Sequence, residues 1–451
     1  MGLTISSLLV TGSVLAAMAV PAASQSSLDI IQIATTPNGF DAPSRGWNSF
    51  GIQANPATDP SFTFDQAGVI TQCDVLTTNP AFKTSGYVYC SLDSGWSVGG
   101  NGDDFGRIIA NSSKFDMPSL ADHLHTEGLL LGVYVVPGAF VADESKTILG
   151  TSTTIGSVCS GDNGLARCNF NYSRPEVQTW HNSVVDQFAS WGVDFIKLDF
   201  ITPGSPSNGV NLPPDLSGEV IAYHQAIAQS GRQMRLDISW KLDRTEEYFD
   251  IWEANADSMR TDQDINNGGA STFLSWDTVQ RAIENYRQYI TTVSAYSTTL
   301  TIYPDMDNLF VGNAASVLRF DQPGRFGLNL LTNTAALAVA DFTASFPMQP
   351  RNPGTGAQSA QQLQAWIAGP SSAGEAAVVI ANYGPDEGQG GFGTSLTGTQ
   401  TITVTWEDLG ISGSFDVLDV WAGEDLGSED TELQVQLGEG QSVLYHLTAS
   451  S

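Results

Sequence analysis

Basic residues are scarce in this chain. Its 451 residues carry 18 Lys and Arg against 48 Asp and Glu, a formal net charge of −30 at pH 7. A polyanion of that size repels phosphate backbones and anionic lipid, which disfavours nucleic-acid and membrane partners. Histidine is equally sparse. His123, His125, His181, His224 and His446 lie scattered, and the four cysteines show no metal-finger spacing. No metal site and no cofactor is therefore expected. No internal repeat is present, and no stretch beyond the N-terminus is long and apolar enough to span a bilayer. With 41% hydrophobic and 10% aromatic residues, a large core is available and global disorder is excluded.

The N-terminal apolar stretch, residues 3–19, contains Ser, Thr and Gly and is followed by Val20-Pro21-Ala22-Ala23-Ser24. No Lys or Arg precedes it, but the small-residue pattern reads as a secretory signal peptide over residues 1–23. The expected product is a secreted, extracellular protein. An even count of four cysteines suits that compartment. Three pairings are possible on paper. Cys159 and Cys168 flank a Gly-rich loop, which favours the local pair and leaves Cys73 with Cys90. Asn111-Ser112-Ser113 and Asn171-Tyr172-Ser173 are N-glycosylation sequons.

Short apolar runs alternate with helical patterns from about residue 45 to 345. Candidate strands fall at 46–50, 87–93, 129–137, 194–200, 234–240, 258–264, 298–305 and 343–348. The clearest helix, 175–191, opens Ser173-Arg174-Pro175-Glu176 with Pro in its first turn, and 217–228 and 278–290 are similar. This alternation predicts an α/β fold, a (β/α)8 TIM barrel over residues 24–350. Residues 351–356 read as a linker. Runs at 376–382, 399–406, 415–421 and 442–447 then predict a C-terminal antiparallel β-sandwich domain over 351–451. Packing of this tail against the barrel is favoured over a role in polysaccharide binding.

Several candidate strands end in Asp, at Asp93, Asp199, Asp264 and Asp305. Each alone is explained as a helix cap. Four together point to the C-terminal mouth of a barrel, where active sites are built. In Phe195-Ile196-Lys197-Leu198-Asp199, positions i and i+2 share a strand face, so Lys197 and Asp199 point together. Buried charges there must be paired, and Lys197 is expected to hold Asp199 ionised, as a glycosidase nucleophile requires. Arg260, Asp262 and Asp264 are expected to share the face of another strand. Either carboxylate there suits a general acid, whose proton must be retained until it is delivered.

These motifs, in this order, resemble the melibiase family of retaining glycoside hydrolases, which includes α-galactosidases and α-N-acetylgalactosaminidases. The likeness runs from about Ser44 to the C-terminus. Gly46-Trp47-Asn48-Ser49 matches the family's opening motif, and Lys197-Leu198-Asp199 its Lys-x-Asp on strand four. Arg260 and Asp264 meet its Arg-x-x-x-Asp on strand six, Gly132-Val133-Tyr134 its third strand, and Pro304-Asp305-Met306 with Gly312-Asn313 its strand-seven motif. The resemblance implies Asp199 as nucleophile and Asp264, rather than Asp262, as acid/base. It implies sugar contacts from Trp47, Asp93, Ser94, Tyr134, Lys197, Ser239, Trp240, Arg260 and Asp305.

Two departures bear on specificity. Asp93-Ser94 stands where the family carries two carboxylates for the sugar's O4 and O6, and Gly95 stands where a half-cystine follows. At strand five, Ser239 stands where the family reads the 2-substituent with Glu, or with Ser where an N-acetyl group must fit. The function so implied is double-displacement hydrolysis of terminal α-D-galactosyl residues from an oligo- or polysaccharide. Its alternatives are a β-L-arabinopyranosidase or an isomaltodextranase-type specificity on α-1,6-glucan, or a non-catalytic carbohydrate-binding relative.

Overall fold

The computed structural model describes residues 28–54, 60–204, 210–266, 274–308, 325–351, 362–392 and 395–450. The signal-peptide reading, Gly312-Asn313 and most of the linker lie outside them.

Seven parallel strands form the barrel sheet, side by side in chain order. They are β1 (Gly46–Asn48), β2 (Tyr89–Leu92), β3 (Leu130–Val135), β4 (Val193–Leu198), β5 (Arg235–Ile238), β6 (Ser258–Arg260) and β7 (Tyr303–Asp305). Near-continuous burial along β2, β5 and β6 is what strands covered on both faces require. Helices Gln66–Cys73, Met117–Thr126, Pro175–Trp191, Ser217–Ser230, Glu246–Asn255 and Trp276–Val293 fill the successive crossovers. Pro175–Trp191 shows why the sequence folds this way locally. Pro sits in its first turn, and Gly192 ends it with φ 85°. Val177, Trp180, Val184, Val185 and Phe188 recur at helical spacing and are buried against the barrel. This is a TIM-like barrel.

The expected eighth strand at 343–348 is not a strand. Helix Thr334–Ser345, capped by Asn333, runs through its first half. Ala335, Ala336, Val339, Phe342 and Phe346 recur every three to four residues, a helical period, and pack on the C-terminal sheet. The next strand, β8 (Gln349–Arg351), pairs with β9 (Leu363–Ala368) and already belongs to the second domain.

That domain continues through β10 (Glu375–Asn382), β11 (Gln400–Thr405), β12 (Phe415–Asp419), β13 (Glu424–Glu429), β14 (Glu432–Leu437) and β15 (Gln441–Ala449). The order β8-β9-β10-β15-β12-β13 makes a six-stranded antiparallel sheet, and β11 with β14 a second layer. Ile367, Val378, Ile380, Val404, Trp406 and Leu447 form the core between them. Both disulfides join the expected partners, Cys73–Cys90 with Cα atoms 5.8 Å apart and Cys159–Cys168 at 5.5 Å.

The tail packs on the barrel as expected. Trp366 is buried, donates from Nε1 to Tyr383 Oη at 2.7 Å, and lies 5.6 Å from the Tyr286 ring of the barrel helix. Tyr286 Oη donates to Met348 O at 2.9 Å, and Trp276 Nε1 to Tyr383 O at 2.9 Å. A buried Trp truncated to Ala costs about 3–5 kcal/mol. Trp366→Ala is therefore expected to lower the stability measured by urea unfolding by about that amount, and an unchanged midpoint would show that this junction carries little.

Candidate active site

The C-terminal ends of β2 to β7 converge on one mouth. Asp93 follows the last residue of β2, Asp199 the last of β4 and Ser239 the last of β5, while Arg260 ends β6 and Asp305 ends β7. Lys197, the penultimate residue of β4, donates to Asp93 Oδ2 at 2.9 Å. Its ammonium lies 5.5 Å from the Phe50 ring centroid and 5.4 Å from that of Tyr134. Burial favours the neutral amine, but the Asp93 and Asp199 carboxylates outweigh it and raise the Lys197 pKa above its ordinary value. The first partner of Lys197 is thus Asp93 across the mouth, not Asp199 along its own strand.

Asp93 is itself held by its neighbours. Its backbone N–H donates to Ser49 Oγ at 2.8 Å, and Ser49 Oγ donates to Gln53 Oε1 at 2.5 Å. Gln53 Nε2 donates to the Ser94 carbonyl at 2.8 Å, and the Ser94 side chain is exposed.

Three donors reach the Asp199 carboxylate. Ser239 Oγ donates to Oδ1 at 2.7 Å, the Phe200 N–H donates to the same oxygen at 2.9 Å, and the Tyr134 hydroxyl hydrogen-bonds the carboxylate. Phe200 has φ 60°, a left-handed backbone that costs a non-glycine residue about 1–3 kcal/mol. That turn aims its N–H at Asp199 and sets its ring edge-on to Trp240, with centroids 5.4 Å apart. Burial, then the Asp199 and Asp93 carboxylates, raise the Tyr134 pKa far above its ordinary value, so its hydroxyl stays a donor. Ser239, wholly buried, holds the carboxylate expected to be the nucleophile.

The stretch after β6 is not a strand face. Extended structure ends at Arg260 and the chain bends through 261–263. Asp262 consequently turns away. It is 1% exposed and takes Arg281 Nε at 2.8 Å and Asn285 Nδ2 at 3.0 Å. Asp264 instead faces the mouth, with its side chain 39% exposed and 3.2 Å from Arg260. Burial pushes its carboxyl above the usual range. Arg260 opposes this, while the Asp307 and Asp199 carboxylates add to the rise. The geometry thus separates the two candidates that strand periodicity alone left level.

Two carboxylates here were not anticipated from the sequence. Asp307 makes a 3.2 Å ion pair with Arg260 and accepts from the Ile265 N–H at 2.9 Å. Asp237, in register with Lys197 on the inner face of β5, is buried and accepts from Ser258 Oγ at 2.5 Å. Its pKa is pushed up to about 8, first by burial and then by the Asp305 carboxylate. The signals were present: Asp237 lies two residues before Ser239 on an inward-facing strand, and Asp307 two after Asp305.

Below this mouth lies a cavity of about 500 Å³ lined by Trp47, Lys197, Asp237, Arg260, Asp305 and Asp307, among others. Trp47 is buried, and its Nε1 has no hydrogen-bond partner among the described residues. Trp240 is 8% exposed. The sequon residues Asn111 and Asn171 lie apart from this mouth, each accepting from the Ser two positions on.

Comparison with known proteins adds five observations. The melibiase-family profile described as alpha galactosidase A matches residues 42–154, and that of the alpha galactosidase C-terminal beta sandwich domain matches 360–447. Alpha-galactosidase 3 of Hypocrea jecorina is 48% identical, over 93% of this chain and 73% of its own. A GH27 β-L-arabinopyranosidase from Geobacillus stearothermophilus superposes with a TM-score of 0.70 at 19% identity, covering 91% of this chain and 97% of its own. The α-galactosidase of Saccharomyces cerevisiae, solved with raffinose, gives a TM-score of 0.61 at 16% identity, covering 92% and 100%. At these identities the structures speak for the fold.

Two expectations follow. Ser239→Ala removes a buried hydrogen bond to a charged group, worth about 1.5–3 kcal/mol, so kcat is expected to fall roughly 10- to 100-fold in a protein that still folds. An unchanged kcat would contradict the role of that bond. Asp307→Asn removes an anion that raises the Asp264 pKa and releases Arg260 to lower it, so both effects act downward. A reaction that needs protonated Asp264 should then lose activity at lower pH on the alkaline side of its kcat/KM profile. A limb that stays put or moves upward would contradict this coupling.

Proposed function

The chain belongs to the melibiase family of α-galactosidases and is a glycoside hydrolase; from that premise we propose that it is a secreted, retaining exo-glycosidase that removes terminal α-D-galactosyl residues. One observation carries this reading. Two carboxylates share a mouth in opposite surroundings, Asp199 gripped by donors and Asp264 pushed toward its protonated form by burial. Such a pair divides the roles of nucleophile and acid.

In the first step Asp199 attacks the anomeric carbon while Asp264 gives its proton to the departing glycosidic oxygen. In the second, Asp264 takes a proton from water, which attacks the same carbon and frees Asp199. Two inversions give net retention. Asp93 accepts hydrogen bonds from sugar hydroxyls, with Lys197 fixing its carboxylate at 2.9 Å. Arg260 faces the ring oxygens, and Trp47 offers an indole face and an Nε1 donor. The two disulfides and the low content of basic residues support a working place outside the cell.

The exposed Ser94 favours one variant of this reading. A sugar lacking the C6 hydroxymethyl, such as a β-L-arabinopyranoside, would forfeit little at a position without a second carboxylate. Hydrolysis of nitrophenyl α-D-galactoside, β-L-arabinopyranoside and α-D-glucoside measures the choice. The galactoside is expected to be fastest. In Asp199→Asn, turnover of the preferred substrate is expected to fall by about 10³-fold or more with the fold intact. Retained activity in that variant overturns the assignment.

A further inference from the structure

A second groove, which shares no lining residue with the cavity below the catalytic mouth, has the make-up of a sugar-binding surface. It lies where the turn between helices Arg325–Thr332 and Thr334–Ser345 meets the C-terminal sheet, at Trp421 just after β12 and Ser442 on β15. Asn329, Leu330, Asn333, Thr334, Trp421 and Ser442 line it, around a space of about 890 Å³. Trp421 is 44% exposed, a large apolar face left to solvent.

Both walls are fixed. The preceding Val420 is 1% exposed and donates its N–H to Leu444 O at 2.9 Å. Asp419 Oδ1 accepts from the backbone N–H groups of Trp421 and Ala422 at 3.0 and 2.9 Å, pinning the turn that carries the indole. Opposite, Asn333 Oδ1 caps its helix by accepting from the Ala336 N–H at 3.0 Å, which leaves its amide nitrogen as the donor. Beneath, Val339, Val420 and Leu444 belong to one buried cluster.

The chemistry of the lining selects the ligand. Among the described residues, no Asp, Glu, Lys or Arg lines the groove, although the chain carries a net charge of −30. An anionic or cationic partner finds no counter-charge there. What remains is one aromatic face flanked by amides and hydroxyls. A pyranose ring presents the complement, an apolar face of C–H groups edged by hydroxyls. The volume falls in the range of small-ligand sites.

We propose that this groove is a secondary binding site for a neutral glycan, with one pyranose stacked on Trp421 and its hydroxyls met by Asn329, Asn333, Thr334 and Ser442. The ligand class rests on the glycoside-hydrolase reading above. The site would hold a polymeric substrate on the enzyme while its chain ends reach the barrel mouth.

Affinity electrophoresis of the full chain through gels containing galactomannan, dextran or anionic polygalacturonate tests this, alongside hydrolysis of nitrophenyl α-galactoside. The wild type should be retarded by at least one of the two neutral polymers and not by the anionic one. Trp421→Ala should weaken that retardation about tenfold, Trp421→Phe less, with nitrophenyl hydrolysis unchanged in both. No retardation of the wild type by either neutral polymer, or equal retardation of wild type and Trp421→Ala, overturns the proposal. Failure to cleave the nitrophenyl substrate would instead strike the catalytic reading, since retardation is measured independently of turnover.

Discussion

The ion pair between Lys197 and Asp93, 2.9 Å across the barrel mouth, sets the terms for every other charge there. It links the ends of β2 and β4 across the intervening β3 and gives the Asp93 carboxylate a counter-charge. Arg260 does the same on the far side, bridging Asp264 and Asp307 at 3.2 Å each. These two cations face six carboxylates: Asp93, Asp199, Asp237, Asp264, Asp305 and Asp307. Six carboxylates against two cations concentrate acidic groups in a largely buried site. Burial and the neighbouring carboxylates raise the pKa values of Asp237 and Asp264 above the usual carboxylate range.

Much of this was legible in the sequence because strand geometry is simple. A period of two placed Lys197 and Asp199 at one strand end, and seven of the eight expected strands overlap observed ones. Helix Pro175–Trp191 begins and ends where Pro175 and Gly192 require. The miss at 343–348 has a physical cause. A short apolar run there is equally consistent with a strand and with the last turn of an alanine-rich helix, and helical packing on the second domain decided it.

The site was legible to the extent that strands carry it. Past Arg260 the chain bends, and alternation no longer says which carboxylate faces the mouth. Asp262 is lost to Arg281 and Asn285, an anchoring contact about 20 residues away in sequence that no local pattern encodes. Ser239 offers a related lesson. Its position suggested a contact with the sugar, whereas its hydroxyl lies on Asp199. Family likeness located the residue, and geometry showed which group it touches.

The central claim is that Asp199 is the nucleophile that becomes bonded to the sugar. Incubating the enzyme with a mechanism-based fluorinated galactosyl inhibitor, then mapping the added mass by peptide sequencing, tests it directly. The account predicts a single glycosyl adduct on the peptide containing Asp199, absent from Asp199→Asn. An adduct on Asp264 or another carboxylate, or an active enzyme that forms none, would contradict it.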